Sequence, residues 1–165
     1  FYAYNIRMSK YPNLLLDNQL CFALYAATNS IIRYYRFYLK EIGITYPQYL
    51  VLITLWESDC KNASDIAKLL KLDLPTITPI LRKIENMGLI TRSRSKDDER
   101  IINIKLTKKG IDLEESVAVI QHKVACKTHL SEKNFNALKA SLYDLTDNME
   151  INPEDINDLK MNYCK

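Results

Sequence analysis

The chain has 165 residues, a net charge of +3, and 47% apolar against 26% charged residues. That is the composition of a globular protein of one domain, or one domain with a helical extension. Three glycines and five prolines are few against a usual ~12% for the pair, which argues against a many-stranded β fold and for long helices.

The longest apolar run, 20–27, has eight residues, well below the ~18 of a membrane span. No charged-then-apolar leader opens the chain. A cytoplasmic protein with no membrane contact is expected. Residues 1–7 read as upstream sequence, with Met8 as a start candidate.

Residues 14–41 predict one long helix: Leu14, Leu15, Leu20, Leu24, Ile31, Ile32 and Leu39 recur near helical spacing, and Gly43 stops it. Thr45 is an N-cap candidate, with Pro47 in the first turn of a strongly apolar helix over 46–57. Asn62 and Asp65 mark the start of a short helix over 63–71. Asp73 caps the next helix, which carries Pro75 early, runs to Met87 and stops at Gly88. The two form a helix-turn-helix candidate.

The period then changes to two. Residues 89–94 and 100–106 alternate apolar with polar or basic side chains, as strands do, and the charged stretch 95–99 joins them into a hairpin. Thr107 caps a long helix to about 128, and Ser131 caps another to about 149. Residues 150–165 are polar, with a short helix candidate over 154–161. Helix-turn-helix followed by a basic hairpin is a winged helix. The expected fold is mainly α with that hairpin and long N- and C-terminal dimerisation helices.

Charge is unevenly placed. Residues 75–109 hold nine Lys/Arg against four acids, a local charge of +5 in an otherwise near-neutral chain. A basic island of this kind is a footprint for a polyanion. In a winged helix the second helix presents its N-terminal residues to the major groove. That nominates Thr76, Thr78, Pro79 and Lys83 as DNA contacts, with Ile77, Leu81 and Ile84 on the core side. Arg92 and Arg94 leave the hairpin towards phosphates. The plain alternative is a solvated surface hairpin.

The four cysteines, Cys21, Cys60, Cys126 and Cys164, form no Cys-x-x-Cys pair and no zinc framework, and are expected as reduced thiols. His122, Cys126 and His129 share one helix face. Positions seven apart span about 10 Å, so a single ion cannot take all three, and no metal or other cofactor is expected.

Three stretches carry a resemblance to a known family: Leu-Asp-Asn-Gln-Leu-Cys-Phe-Ala-Leu-Tyr (16–25), Gly-Ile-Thr-Tyr-Pro-Gln-Tyr-Leu-Val-Leu (43–52) and Gly-Leu-Ile-Thr-Arg-Ser-Arg-Ser-Lys-Asp-Asp-Glu-Arg (88–100) running on to Leu106 and Thr107. The chain resembles the MarR family of winged-helix regulators, and within it the organic-hydroperoxide-sensing branch. The resemblance covers roughly 14–148. It implies an extension over 1–13, a winged-helix domain over 14–149 and a tail over 150–165. Dimerisation would use 14–57 and 107–149, and DNA binding 61–106.

The resemblance also implies roles. Arg100 matches the wing-tip arginine that enters the minor groove, and Asp98 the acid that orients it. Cys21 matches the peroxide-reactive cysteine. Tyr35 and Tyr46 match tyrosines that donate to its thiolate from the other subunit, with Phe22 and Tyr25 lining the same pocket. Cys126 looks like the resolving thiol of the two-cysteine subclass, while Cys60 and Cys164 read as incidental. Residues 73–79, Asp-Leu-Pro-Thr-Ile-Thr-Pro, depart from the branch's Asp-Ser-Gly-Thr-Leu-Thr-Pro at Leu74 and Pro75, so the operator need not be shared.

The implied function is a homodimeric repressor, not an enzyme, that binds double-stranded palindromic operator DNA when reduced. Organic hydroperoxide would release it through a disulfide between Cys21 and the other subunit's Cys126. Response to a small aromatic ligand is the alternative. A thiol peroxidase would need a reductant site, of which the sequence gives no sign. The basic island argues against a non-DNA interaction module.

Overall fold

The structure is a computed structural model that describes residues 9–94 and 102–150. Those residues divide into two compact units, one ending at Val124 and the other beginning at Ala125.

In the first unit, two 3-10 turns, Pro12–Leu14 and Leu16–Asn18, precede helix α1 (Leu20–Leu39). The helix predicted from residue 14 therefore starts six residues later. The side chains of Asn18 and Gln19 explain the difference: each donates to a backbone carbonyl upstream, Asn18 to Pro12 at 2.8 Å and Gln19 to Leu15 at 3.3 Å. Such local bonds compete with helix formation. A further 3-10 turn, Lys40–Ile42, ends at Gly43, whose φ of 74° gives the left-handed stop that a glycine adopts without strain.

Helix α2 (Tyr46–Glu57) begins with the predicted cap: Thr45 and Gln48 form a capping box, the Thr45 N–H donating to Gln48 Oε1 at 2.7 Å. Its Tyr49, Val51, Leu52 and Leu55 form the centre of the core, with Leu39, Ile44, Ile66, Ile77, Leu81, Ile84 and Ile104 around them.

Strand β1 (Lys61–Asn62) leads into helix α3 (Ala63–Leu69), capped by Asn62, whose Oδ1 accepts from the Asp65 N–H at 2.9 Å. Helix α4 (Leu74–Asn86) is capped by Asp73 and buries Ile77, Leu81 and Ile84 as its core face. Strands β2 (Ile90–Arg94) and β3 (Ile102–Leu106) pair antiparallel, with Arg92 opposite Ile104. β1 adds to the far edge of β3, giving the order β1-β3-β2. Sequence patterning does not predict this third strand, because two residues show no alternation to read.

The helix predicted from Thr107 to about 128 is two helices. They are α5 (Lys108–Asp112), capped by Thr107, and α6 (Glu114–Lys127), with a break at Leu113. The first unit includes α6 through Val124, and Val117, Ile120 and Val124 join its core.

The second unit holds the end of α6 and helix α7 (Glu132–Asn148), capped by Ser131 through the Asn134 N–H. No residue of α7 is buried, and Phe135, Leu138, Leu142 and Tyr143 are exposed at helical spacing. Among the described residues no helix is long and apolar enough to cross a membrane.

Candidate functional site

The residues that the sequence nominates fall into two sets, and these lie on different elements. The first is the start of α4 with the adjoining hairpin. Asp73 Oδ1 accepts from the Thr76 N–H at 2.9 Å, and the Thr76 hydroxyl bonds it as well, so the carboxyl is held below the usual carboxylate range. Thr78 Oγ1 donates to the Leu74 carbonyl at 2.8 Å. Both threonine hydroxyls thus spend their protons on their own helix and offer only acceptor lone pairs outward. Pro79, Arg82 and Lys83 are exposed. Arg82 is an addition to the nominated set; its place next to Lys83 on a basic stretch is the signal that points to it.

On the hairpin, Arg94 is exposed, whereas Arg92 turns back onto the protein. Its Nε donates to Glu85 Oε2 at 2.7 Å, and a second guanidinium N–H bonds the same oxygen. Glu85, on α4, therefore neutralises one of the two cations expected to face phosphates. Asp98 and Arg100 lie outside the described residues, as do the helix candidate over 154–161 and Cys164.

The second set is the thiol and its tyrosines. Cys21 lies in the first turn of α1, exposed, with its thiol 4.0 Å from Gln19 Oε1. Phe22 and Tyr25 are exposed on the same helix end. Tyr35 lies fourteen residues further along the same continuous helix, a rise of roughly 21 Å. The structure therefore separates Cys21 from Tyr35 within one chain.

It does bring Tyr35 and Tyr46 together, with ring centroids 5.1 Å apart. A third phenol, Tyr49, completes the cluster at 4.9 Å from Tyr35 and 5.7 Å from Tyr46. Its hydroxyl donates to the Tyr35 hydroxyl at 3.2 Å. Burial, then the neighbouring Tyr35, raises the Tyr46 pKa. Burial, the bond to Tyr35 and the other two phenols raise that of Tyr49 further. Both shifts favour the protonated phenol, and Tyr49 is the one that donates within the cluster. Tyr49 escapes a reading of the sequence because a tyrosine in an apolar helix reads as core.

Cys126 lies near the end of α6 and is exposed, and Cys60, also exposed, sits in the turn before β1 with a positive φ of 65°. Among the described residues no three His, Cys, Asp or Glu side chains converge as metal ligands.

Comparison with known proteins decides the family. The model of the transcriptional regulator SarA/Rot family matches residues 33–117. The organic hydroperoxide resistance transcriptional regulator of Bacillus subtilis is 38% identical over 141 residues, covering 86% of this chain and 96% of that protein. The chain belongs to the MarR-like winged-helix transcriptional regulators. Solved structures of the staphylococcal regulator AbfR agree in fold. The reduced protein bound to DNA superposes with a TM-score of 0.69 at 32% identity, covering 81% of this chain and 92% of that one. The disulfide form gives 0.61 at 34% identity, covering 80% and 92%; AbfR comes from Staphylococcus epidermidis. In this winged-helix regulator α3 and α4 are the helix-turn-helix and β2–β3 the wing. Its family consists of transcriptional regulators, not enzymes.

Proposed function

We propose that the chain is a peroxide-sensing repressor that binds palindromic operator DNA as a reduced homodimer. The observation that carries this reading is the separation of Cys21 from the Tyr35–Tyr46 pair along one helix. A thiolate at Cys21 needs a donor to be stabilised, and no cation adjoins it in sequence. The hydroxyls of Tyr35 and Tyr46 lie at the far end of α1. A two-fold partner laid antiparallel along α1 brings one chain's thiol to the other chain's phenols. Exposed apolar side chains along α1 (Leu20, Phe22, Tyr25, Phe37) and along α7 supply the surface for that partner.

The chemistry then balances. The Cys21 thiolate attacks the terminal oxygen of an organic hydroperoxide, the O–O bond breaks, and the alkoxide leaves and takes a proton from water. The sulfenic acid condenses with the partner's Cys126 thiol, forming the disulfide and releasing water. The dimer seam is thereby re-bonded, the spacing of the two α4 helices changes, and DNA is released. That AbfR has been solved reduced on DNA and as a disulfide supports such a cycle in this family.

The test combines a non-reducing gel and a DNA titration on one sample, before and after about one equivalent of cumene hydroperoxide. A dimer-mass band, with DNA affinity lost and both effects reversed by dithiothreitol, is expected. Cys21→Ser should bind DNA but ignore peroxide. Cys126→Ser should lose the cross-link and release DNA more slowly or less completely. A Cys21→Ser protein that still responds would sink the scheme. One observation favours a second reading: Arg36 and Lys40 share a cavity with Ile32, Ile44 and Tyr46, which would suit an aromatic acid. DNA release by such a ligand, with peroxide inert, would identify it.

A further inference from the structure

The hydroxyl of Tyr49 has no assigned work. Its ring is 4% exposed and fills the core between α1 and α2. A phenylalanine would fill that space without bringing a polar atom inside. A buried hydroxyl persists where it has a partner, and the partner is Tyr35 Oη at 3.2 Å. Only one proton can lie between two phenol oxygens. Tyr49 supplies it, so the Tyr35 proton is turned elsewhere.

We propose that Tyr49 is a positioning residue for the thiol chemistry: by donating to Tyr35, it commits the Tyr35 hydroxyl to donate outward and makes it a stronger donor. The inference rests on the reading of Tyr35 as the donor to the partner's thiolate. A chain of hydrogen bonds polarises each member in one direction, strengthening the last donor. Tyr46 sits one turn before Tyr49 on α2, with its ring 5.1 Å from that of Tyr35, so the pair of phenols facing the thiolate is backed by the third. The raised pKa of Tyr49 keeps its proton in place across the working range. Charged groups border the cluster on both sides. Arg36 and Lys40 share a cavity with Tyr46, Glu57 and Glu114 share one with Tyr49, and Lys123 lies over the ring of Tyr38.

The test is the pH profile of Cys21 sulfenylation by cumene hydroperoxide in the reduced full-length protein. Tyr49→Phe should slow the reaction about threefold at pH 7, moving the half-rate pH up by ~0.5 unit. Affinity of the reduced protein for DNA should not change. 3-Fluorotyrosine at position 49 keeps the ring and makes the hydroxyl a stronger donor, so it should move the profile down. In a Tyr35→Phe background, Tyr49→Phe should add nothing. If Tyr35→Phe shifts the profile and neither change at 49 does, Tyr49 is packing alone and the proposal is overturned. If Tyr35→Phe itself leaves the profile in place, the thiolate-donor reading fails first. Should Tyr49→Phe fail to fold, the fluorotyrosine arm decides alone.

Discussion

Gly110→Ala is the most demanding test of how α5 packs on the wing. Gly110 lies in α5, buried against the β2–β3 hairpin. A Cβ there would sit 2.1 Å from the Leu89 carbonyl oxygen and 3.1 Å from Leu106 Cδ2. A carbon meets a carbonyl oxygen comfortably at ~3.3 Å, so α5 and the start of β2 must part by about 1.2 Å. That oxygen already accepts the Thr107 N–H at 3.0 Å, and the Gly110 carbonyl accepts the Trp56 indole N–H at 3.1 Å. Overpacking against backbone costs ~1–3 kcal/mol and each weakened bond ~1 kcal/mol. Together they come to about 3–5 kcal/mol, a large part of a typical ~5–15 kcal/mol stability. Urea unfolding followed by circular dichroism, at one fixed protomer concentration, reads the difference. A loss below ~1 kcal/mol would show that α5 slides freely over the hairpin and that Gly110 does not fix their approach.

Glu85→Gln removes the carboxylate that holds Arg92. DNA affinity at low salt should rise and the salt slope steepen by ~0.9; an unchanged slope would mean that Arg92 stays bent back regardless. Asp73→Ala should weaken α4 and, with it, operator binding. The folded Asp73 pKa lies below the usual carboxylate value, so its stabilisation is present above that value and disappears as pH falls through the folded one. The thermal deficit of the variant should therefore be largest at neutral pH and shrink in acid, where the protonated carboxyl caps as a neutral group; a deficit that does not change with pH refutes the charge-assisted cap. The proposed homodimer uses the exposed stripe of α7, so Leu138→Glu should lower the sedimentation mass from dimer to monomer, and an unchanged dimer mass would remove α7 from the proposed seam.

How far each segment is legible in the chain alone depends on its local physics. Helix α4 is legible from end to end because Asp73, Pro75 and Gly88 each carry a local geometric preference. Helix α2 likewise declares itself through Thr45 and Pro47. The start of α1 does not, because Leu14, Leu15 and Leu20 recur near helical spacing while the Gln19 side chain bonds the Leu15 carbonyl that such a helix would need. The break at Leu113 is invisible to periodicity, since both halves keep the same apolar face. At the thiol site, the resemblance points to Cys21, Tyr35 and Tyr46, but only coordinates reveal that Tyr35 leans on Tyr49. In the same way, an alternating hairpin cannot announce that Arg92 returns to Glu85, seven residues upstream on another element.

The end of α4 is fastened to the start of α5. Thr107 Oγ1 donates to the Gly88 carbonyl at 2.7 Å, and Lys109 Nζ to the Met87 carbonyl at 2.9 Å. The end of α4 and the foot of the next helix are thus joined by two hydrogen bonds, so a turn of one strains its bonds to the other. Over the 13 residues of α4, about 20 Å long, a tilt of about 10° at that junction swings the far tip by roughly 3.4 Å, one base-pair step along DNA. On the proposed docking of α4 in the operator, a small rearrangement applied at α5 would therefore arrive as a register error, with no residue of α4 needing to change its own conformation.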